Sequence, residues 1–146
     1  MVLKRHKEVD TLTPTQRSER MSRIRSKNTK PEMLVRSALH LAGLRFRLHR
    51  KGLPGRPDIV FPKEKVAVFV HGCFWHRHER CSKTRTPKTR VDFWETKFAG
   101  NVARDKATFQ ALNGIGWAVY VIWECELPNG IEAHVSEIRK LVSDRR

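Results

Sequence analysis

A twelve-residue stretch, Val70-His71-Gly72-Cys73-Phe74-Trp75-His76-Arg77-His78-Glu79-Arg80-Cys81, constrains this chain more than any other. It holds two of the three cysteines, three of the seven histidines and one of the four tryptophans, directly after the apolar run Val66-Ala67-Val68-Phe69-Val70. Thiolates and imidazoles are the donors that zinc prefers, and a closed structural site takes four of them in a tetrahedron. Cys73, His78 and Cys81 supply three at short spacings. The remaining cysteine, Cys125, follows a second apolar run, Trp117-Ala118-Val119-Tyr120-Val121-Ile122-Trp123. If the two runs are neighbouring strands, Cys125 arrives beside the cluster and completes a Cys3His zinc site. His76 also sits at C-x2-H spacing from Cys73, so one of His76 and His78 binds and the other is free for chemistry. The competing account is three unrelated buried thiols, because free cysteine is among the most buried residue types. Histidines crowded beside two of three cysteines favour the metal.

At 146 residues the chain fits one domain with a single modest core and leaves no room for a second catalytic domain. Lys and Arg number 30 against 15 Asp and Glu, a formal charge of +15. That excess favours a polyanion, nucleic acid first and an anionic membrane surface second. No apolar run approaches the roughly 20 residues of a membrane span. Met1-Val2-Leu3-Lys4-Arg5-His6-Lys7 lacks the apolar centre of a signal peptide. An intracellular, cytoplasmic protein is expected, where thiols stay reduced and an odd cysteine count suits a metal better than disulfides.

Residues 1 to 13 are polar and basic without periodicity and read as a mobile arm; residues 14 to 146 read as the domain. Thr13-Pro14 opens a basic helix through about Ser26, with Met21 and Ile24 its only strongly apolar members. Such a helix suits phosphates better than a core. A second helix begins at Lys30-Pro31-Glu32 and ends near Gly43, burying Met33, Leu34, Ala38, Leu39 and Leu41. Leu44, Phe46 and Leu48 alternate with polar residues as a half-buried strand requires. After the turn Gly52-Leu53-Pro54-Gly55-Arg56-Pro57 come Asp58-Ile59-Val60-Phe61, then Pro62-Lys63-Glu64-Lys65 and the strand from Val66. Strands joined so tightly are antiparallel, which sets Asp58 beside Val70-His71. Past the basic loop 82–90, Val91, Trp94, Phe98, Phe109 and Leu112 mark one long helix, or two broken at Gly100; the strand from Trp117 and a helix from about Ile131 to Val142 follow. The sum is an α/β domain, a short mixed central sheet flanked by helices.

Asp58 suits a hard divalent ion such as Mg²⁺, which binds a phosphate oxygen and activates water. An aspartate capping a turn is the plainer alternative. A histidine can give or take a proton near neutral pH, so His76 suits general acid or base work, and Glu32 and a backbone carbonyl near Val70 can approach the same phosphate. By itself Glu32 reads better as a first-turn glutamate that satisfies the helix dipole. Phe74 and Trp75 lie in a loop, where aromatics stack on bases or wedge between them. Trp94 either joins them or packs on the buried face of its helix.

Leu53-Pro54-Gly55-Arg56-Pro57-Asp58, Val70-His71-Gly72-Cys73-Phe74-Trp75-His76, Asp92-Phe93-Trp94 and Trp123-Glu124-Cys125 together resemble the very short patch repair (Vsr) DNA mismatch endonucleases. The resemblance runs from about Ser18 to Cys125. It implies a restriction-endonuclease-like fold with an added structural zinc, and Mg²⁺-dependent nicking of one strand, 5′ of the thymine in a T:G mismatch left by deamination of 5-methylcytosine. It therefore also implies a functional link to a cytosine-5 DNA methyltransferase. Carried over by position, the catalytic aspartate is Asp58, the catalytic histidine His76 and the accessory glutamate Glu32. The Mg²⁺ contacts fall on Asp58 and the Val70 carbonyl, and the zinc ligands on Cys73, His78, Cys81 and Cys125. The intercalating aromatics are Phe74, Trp75 and Trp94, and the N-terminal helix at the minor groove falls near Met21. Val70 stands where the family can have threonine, and one extra residue separates His78 from Cys81. A mismatch is asymmetric and nicking needs one active site, so a monomer is expected. The rival readings are a restriction-like endonuclease with another DNA target and a non-catalytic zinc-stabilised DNA-binding module.

Overall fold

The computed structural model describes residues 29–146. The arm of residues 1–13 and the basic helix with Met21 lie outside them. In chain order come α1 (Lys30–Leu41), β1 (Arg47–Leu48), β2 (Ile59–Phe61), β3 (Val66–His71), α2 (Cys73–His76), α3 (Val91–Gly114), β4 (Ala118–Trp123), a 3₁₀ turn (Glu124–Glu126) and α4 (Ile131–Asp144). The strands form one sheet in the order β1-β2-β3-β4. β1 and β2 pair antiparallel, as do β2 and β3 across the turn 62–65, whereas β3 and β4 run parallel. Parallel neighbours need a long crossover, and here it carries α2 and α3.

Helices cover both faces of the sheet, which explains why the strands read as continuous apolar runs. Successive residues point to opposite sides. Ile59, Phe61, Val66, Val68 and Ile122 meet Val35 and Leu39 of α1 and Ile138 and Val142 of α4. On the other side, Val60, Ala67 and Phe69 meet Leu112 of α3 and Trp117. The register Val66↔Ala118 through His71↔Trp123 carries the ends of β3 and β4 out of the sheet together. Every expected cysteine ligand then emerges from one end.

Three expectations change. The inward stripe of α1 is Glu32, Val35 and Leu39, while Met33, Leu34 and Leu41 are exposed. The cause is polar: Arg36 and His49 meet the Glu32 carboxylate inside, and this turns Met33 and Leu34 outward. The strand around Leu44, Phe46 and Leu48 shrinks to Arg47–Leu48, because the Leu44 amide still bonds the Leu39 carbonyl at the end of α1. Leu48 is exposed, although Leu44 and Phe46 still lean on the core. The loop after β3 contains a one-turn helix, α2. α3 passes Gly100 without a break. Among the described residues no helix is long and apolar enough to cross a membrane.

Candidate active site

The antiparallel hairpin of β2 and β3 brings Asp58, one residue before β2, against the end of β3. Its Oδ2 accepts the Val70 N–H at 2.7 Å, and its carbonyl accepts the His49 N–H at 3.2 Å. Burial raises the Asp58 carboxyl from 3.8 to about 7, and the charge of Glu32 adds to the rise against the Val70 hydrogen bond. Glu32, only 2 % exposed, is paired with Arg36 and lies 3.0 Å from His49 Nε2 through its Oε2. Donor atoms of Glu32, His49 and Asp58 all lie within 4.8 Å of one another.

His76 ends α2. Its Nδ1 is 2.6 Å from Asp105 Oδ2, and its ring stacks at 3.7 Å and 4° on His71. His71 is buried, and burial followed by the neighbouring His76 lowers its imidazole to about 4, so it is neutral at physiological pH. Its Nδ1 has no hydrogen-bond partner among the described residues. Asp58 and His76 face one cleft of about 540 Å³, whose wall also includes His49, His71, Asp105, Lys51, Arg56 and Arg104. Glu32 stands behind that wall, reaching the cleft through Asp58 and His49 rather than opening onto it. A wider cleft of about 890 Å³ lies at the turn end of the hairpin, among Arg45, Arg47, Lys63 and Arg145. Its described lining has no histidine or cysteine, whereas Asp58 and His76 meet on the smaller one.

His76 and His78 part company for a definite reason. α2 stops at Arg77, whose backbone is left-handed (φ 54°). Its guanidinium is held by the carbonyls of Phe74 and Arg85 and by Thr86, and lies 3.9 Å over Phe98. That reversal sends His78 away from the cleft. His78 Nδ1 lies 3.6 Å from Cys73 Sγ and 3.4 Å from Cys125 Sγ, and Cys81 completes a set whose donors are all within 4.8 Å. Zn–S and Zn–N bonds of about 2.3 and 2.05 Å in a tetrahedron place sulfur and nitrogen roughly 3.6 Å apart. The two His78 separations fit that spacing, and the four residues could hold one ion. Trp123 stacks on the His78 ring at 4.2 Å and fixes its plane. Burial pushes the Cys73 thiol up to about 12, whereas the Lys83 amide helps bring Cys81 down to about 7.

Phe74, Trp75 and Trp94 gather into one aromatic cluster with centroids 5.1 to 6.0 Å apart. They are half-buried rather than freely exposed, since Phe98 packs beneath Phe74 and Trp94. Phe93, with Arg90 over its ring, extends the cluster outward. Trp94 thus packs on Phe98 of its own helix and also borders the other two rings.

His49, His71 and Asp105 were not singled out from sequence. For Asp105 a signal existed. Phe98, Asn101, Asp105, Thr108 and Leu112 form one helical stripe, along which Asn101 bonds the Trp75 carbonyl, Asp105 meets His76 and Thr108 abuts Gly55. His49 sat in an alternating pattern as one more polar strand residue, and only the tertiary fold brings it to Glu32.

A family model described as DNA mismatch endonuclease Vsr matches residues 9–83. The type II nicking enzyme V.XorIIP of Xanthomonas oryzae pv. oryzae is 51% identical over 131 residues, covering 88% of this chain and 96% of that protein. The DNA mismatch endonuclease Vsr of Escherichia coli is 41% identical over 111 residues, covering 76% of this chain and 70% of its own. Among solved structures, the catalytic domain of the homing endonuclease I-Bth0305I superimposes with a TM-score of 0.56 at 23% identity, over 81% of this chain and 98% of that domain. At that identity the likeness establishes the shared fold, a restriction-endonuclease-like mixed sheet with flanking helices.

Proposed function

Since the chain belongs to the Vsr family of DNA mismatch endonucleases, we propose that it nicks one strand of duplex DNA, 5′ of the thymine in a T:G mismatch, as the first step of very short patch repair. The observation that carries this reading is the meeting of Asp58 and His76 on one cleft walled by Lys51, Arg56 and Arg104. A carboxylate, an imidazole and three cations suit a phosphodiester, whose charge needs neutralising and whose hydrolysis needs a proton moved.

Asp58 and the Val70 carbonyl would hold Mg²⁺; the Val70–Asp58 hydrogen bond keeps the two residues together, and carboxylate and carbonyl oxygens suit a hard cation. When bound, Mg²⁺ supplies Lewis-acid polarisation of the scissile phosphate and a lowered pKa for water. Asp105 holds His76 through Nδ1, leaving Nε2 to take a proton from water or give one to the leaving oxygen. The neutral ring of His71 fixes the plane of His76 without placing a second charge beside it. Phe74, Trp75 and Trp94 would enter the base stack at the mismatch, since wedged aromatics hold an unstacked step open. Cys73, His78, Cys81 and Cys125 would bind a structural Zn²⁺ that ties the aromatic segment to the end of β4. Met21 would contact the minor groove. The substrate chemistry also supports a functional link to a cytosine-5 methyltransferase and action as a monomer.

End-labelled duplexes that differ only in one T:G or T:A pair within a methylation-site context provide the test. With Mg²⁺, a nick on the thymine strand beside T:G alone is expected, and Asp58→Ala and His76→Ala should each slow it by about 10²-fold or more. Equal cutting of both duplexes would replace mismatch recognition with a restriction-like target, and tight binding without cutting would leave a binding module.

A further inference from the structure

The wide cleft at the turn end of the hairpin takes no part in the function proposed above, yet its cations lack counter-charge. Among the described residues the side chains of Arg45, Arg47 and Lys63 have no hydrogen bond or ion pair, and Glu64, the one acid of the lining, is engaged by Arg146 at 3.2 Å. Residues 1–28 hold eight Lys and Arg against three Asp and Glu, so they offer little to neutralise the cleft. The strand register gives these cations a direction. Arg47 pairs with Val60, and directly paired residues point to the same side of a sheet. Val60 packs with Phe69, Leu112 and Trp117 on the α3 side, whereas Phe46 turns to the opposite core. At His49 the backbone is left-handed (φ 44°), and beyond it Arg50 lies over the Trp117 ring, 5.9 Å from its centroid. The next cations, Lys51 and Arg56, already line the active cleft together with Phe69 and Thr108. One segment, residues 45–56, therefore carries cations along the α3 side from the wide cleft to the active one.

From this alignment we propose that Arg45, Arg47 and Arg50 form a phosphate-binding track that holds the backbone of the DNA flanking the nick, continuing outward from Lys51 and Arg56. The inference rests on the reading of the substrate as duplex DNA. The two clefts lie toward opposite ends of β3, whose six residues span roughly 17 Å at about 3.3 Å per residue. A duplex advances that far in about five base pairs. Guanidinium groups suit the purpose, because their forked donors meet phosphate oxygens in pairs. Trp117 steadies Arg50 through its ring face and leaves the N–H donors of that guanidinium free. An acidic peptide offers the same charges, but continuity with the cleft where the scissile phosphate sits favours the nucleic-acid backbone. The bland alternative, that these cations only keep the edge strand from pairing with another sheet, gives no dependence on the length of the flank.

The experiment uses the full chain and T:G duplexes of equal length, with the mismatch moved so that roughly 4 or 12 base pairs flank it on one side, and then on the other. Affinity is read by fluorescence anisotropy across a salt series without divalent metal, and single-turnover nicking is read with Mg²⁺. The wild-type chain should bind roughly tenfold more tightly when the flank on one particular side is long. Arg45→Ser combined with Arg47→Ser should abolish that difference and reduce the log–log salt slope by about two, with the maximal nicking rate changed less than about twofold. Arg47→Lys, which keeps the charge, should retain most of the long-flank advantage. Equal weakening on long and short flanks, or an unchanged salt slope, overturns the proposal. Unchanged affinity in the double variant overturns it too and leaves these cations to an acidic protein partner. Nicking at T:G without flank dependence removes the track and leaves the substrate reading intact, whereas flank-dependent binding without T:G nicking does the reverse.

Discussion

Asp105 distinguishes the two nitrogens of His76. It engages Nδ1 at 2.6 Å, and under the proposed function it sets the tautomer that leaves Nε2 for proton transfer. Asp105→Asn keeps the shape but offers an amide that can donate to Nδ1 and favour the wrong tautomer. Single-turnover nicking should fall by roughly tenfold to a hundredfold with DNA affinity unchanged; an unaltered rate would assign Asp105 to structure alone. Asp58 makes a second prediction. In the metal-free protein its carboxyl sits near 7 instead of 3.8, so between those values the folded chain keeps a proton that the unfolded chain has released. The stability this group contributes is fully present below the unfolded value and is lost as the pH rises through the folded one. Mg²⁺ binds the deprotonated carboxylate, so it should raise the thermal midpoint more at about pH 8 than at about pH 5. Equal shifts at both would exclude Asp58 as the ligand. Sequence marked Asp58 and His76 by the company they keep. It left Glu32 ambiguous, because a first-turn glutamate looks the same whether it faces solvent or, as here, a half-buried arginine and histidine.

At the level of elements, the turn before β2 depends on α3. Gly55 has φ +71°, and a Cβ built there would stand 2.1 Å from Thr108 Cγ2. Gly55→Ala therefore meets both a backbone and a packing penalty, roughly 1–3 kcal/mol together. A lowered denaturation midpoint is expected, and Thr108→Ala in the same chain should recover only the packing part. Full recovery would mean that the left-handed backbone costs nothing at this turn. The hairpin β2–β3 and the helical character of 91–114 were legible because apolar spacing and a tight Pro-Lys-Glu-Lys turn leave few choices. The inward face of α1 was not, since apolar counting favours Met33 and Leu34, and a buried ion pair overruled it. The short length of β1 was equally hidden, being set by how far α1 continues into Leu44.

Across the whole molecule, the Cys–His cluster links the crossover to the far end of β4, joining His78 and Cys125 across 47 residues. Cys125→Ser should remove about one zinc equivalent by elemental analysis and lower the thermal midpoint; a fully zinc-loaded, equally stable variant would show that the cluster is not a metal site. The formal charge of +15 predicts DNA affinity that falls steeply and linearly in log–log form with salt, and a flat salt response in a binding titration would exclude phosphate contact as its source. By itself the sequence determined the α/β class, the antiparallel hairpin beside Asp58, the donor types and the polyanionic partner, because periodicity, tight turns and ligand chemistry are local properties. Only the tertiary structure decided which residues meet across the chain: β3 beside β4 in parallel, Asp105 on His76, and His49 and Arg36 on Glu32. Those contacts depend on how separate elements pack, and no spacing within one element encodes them.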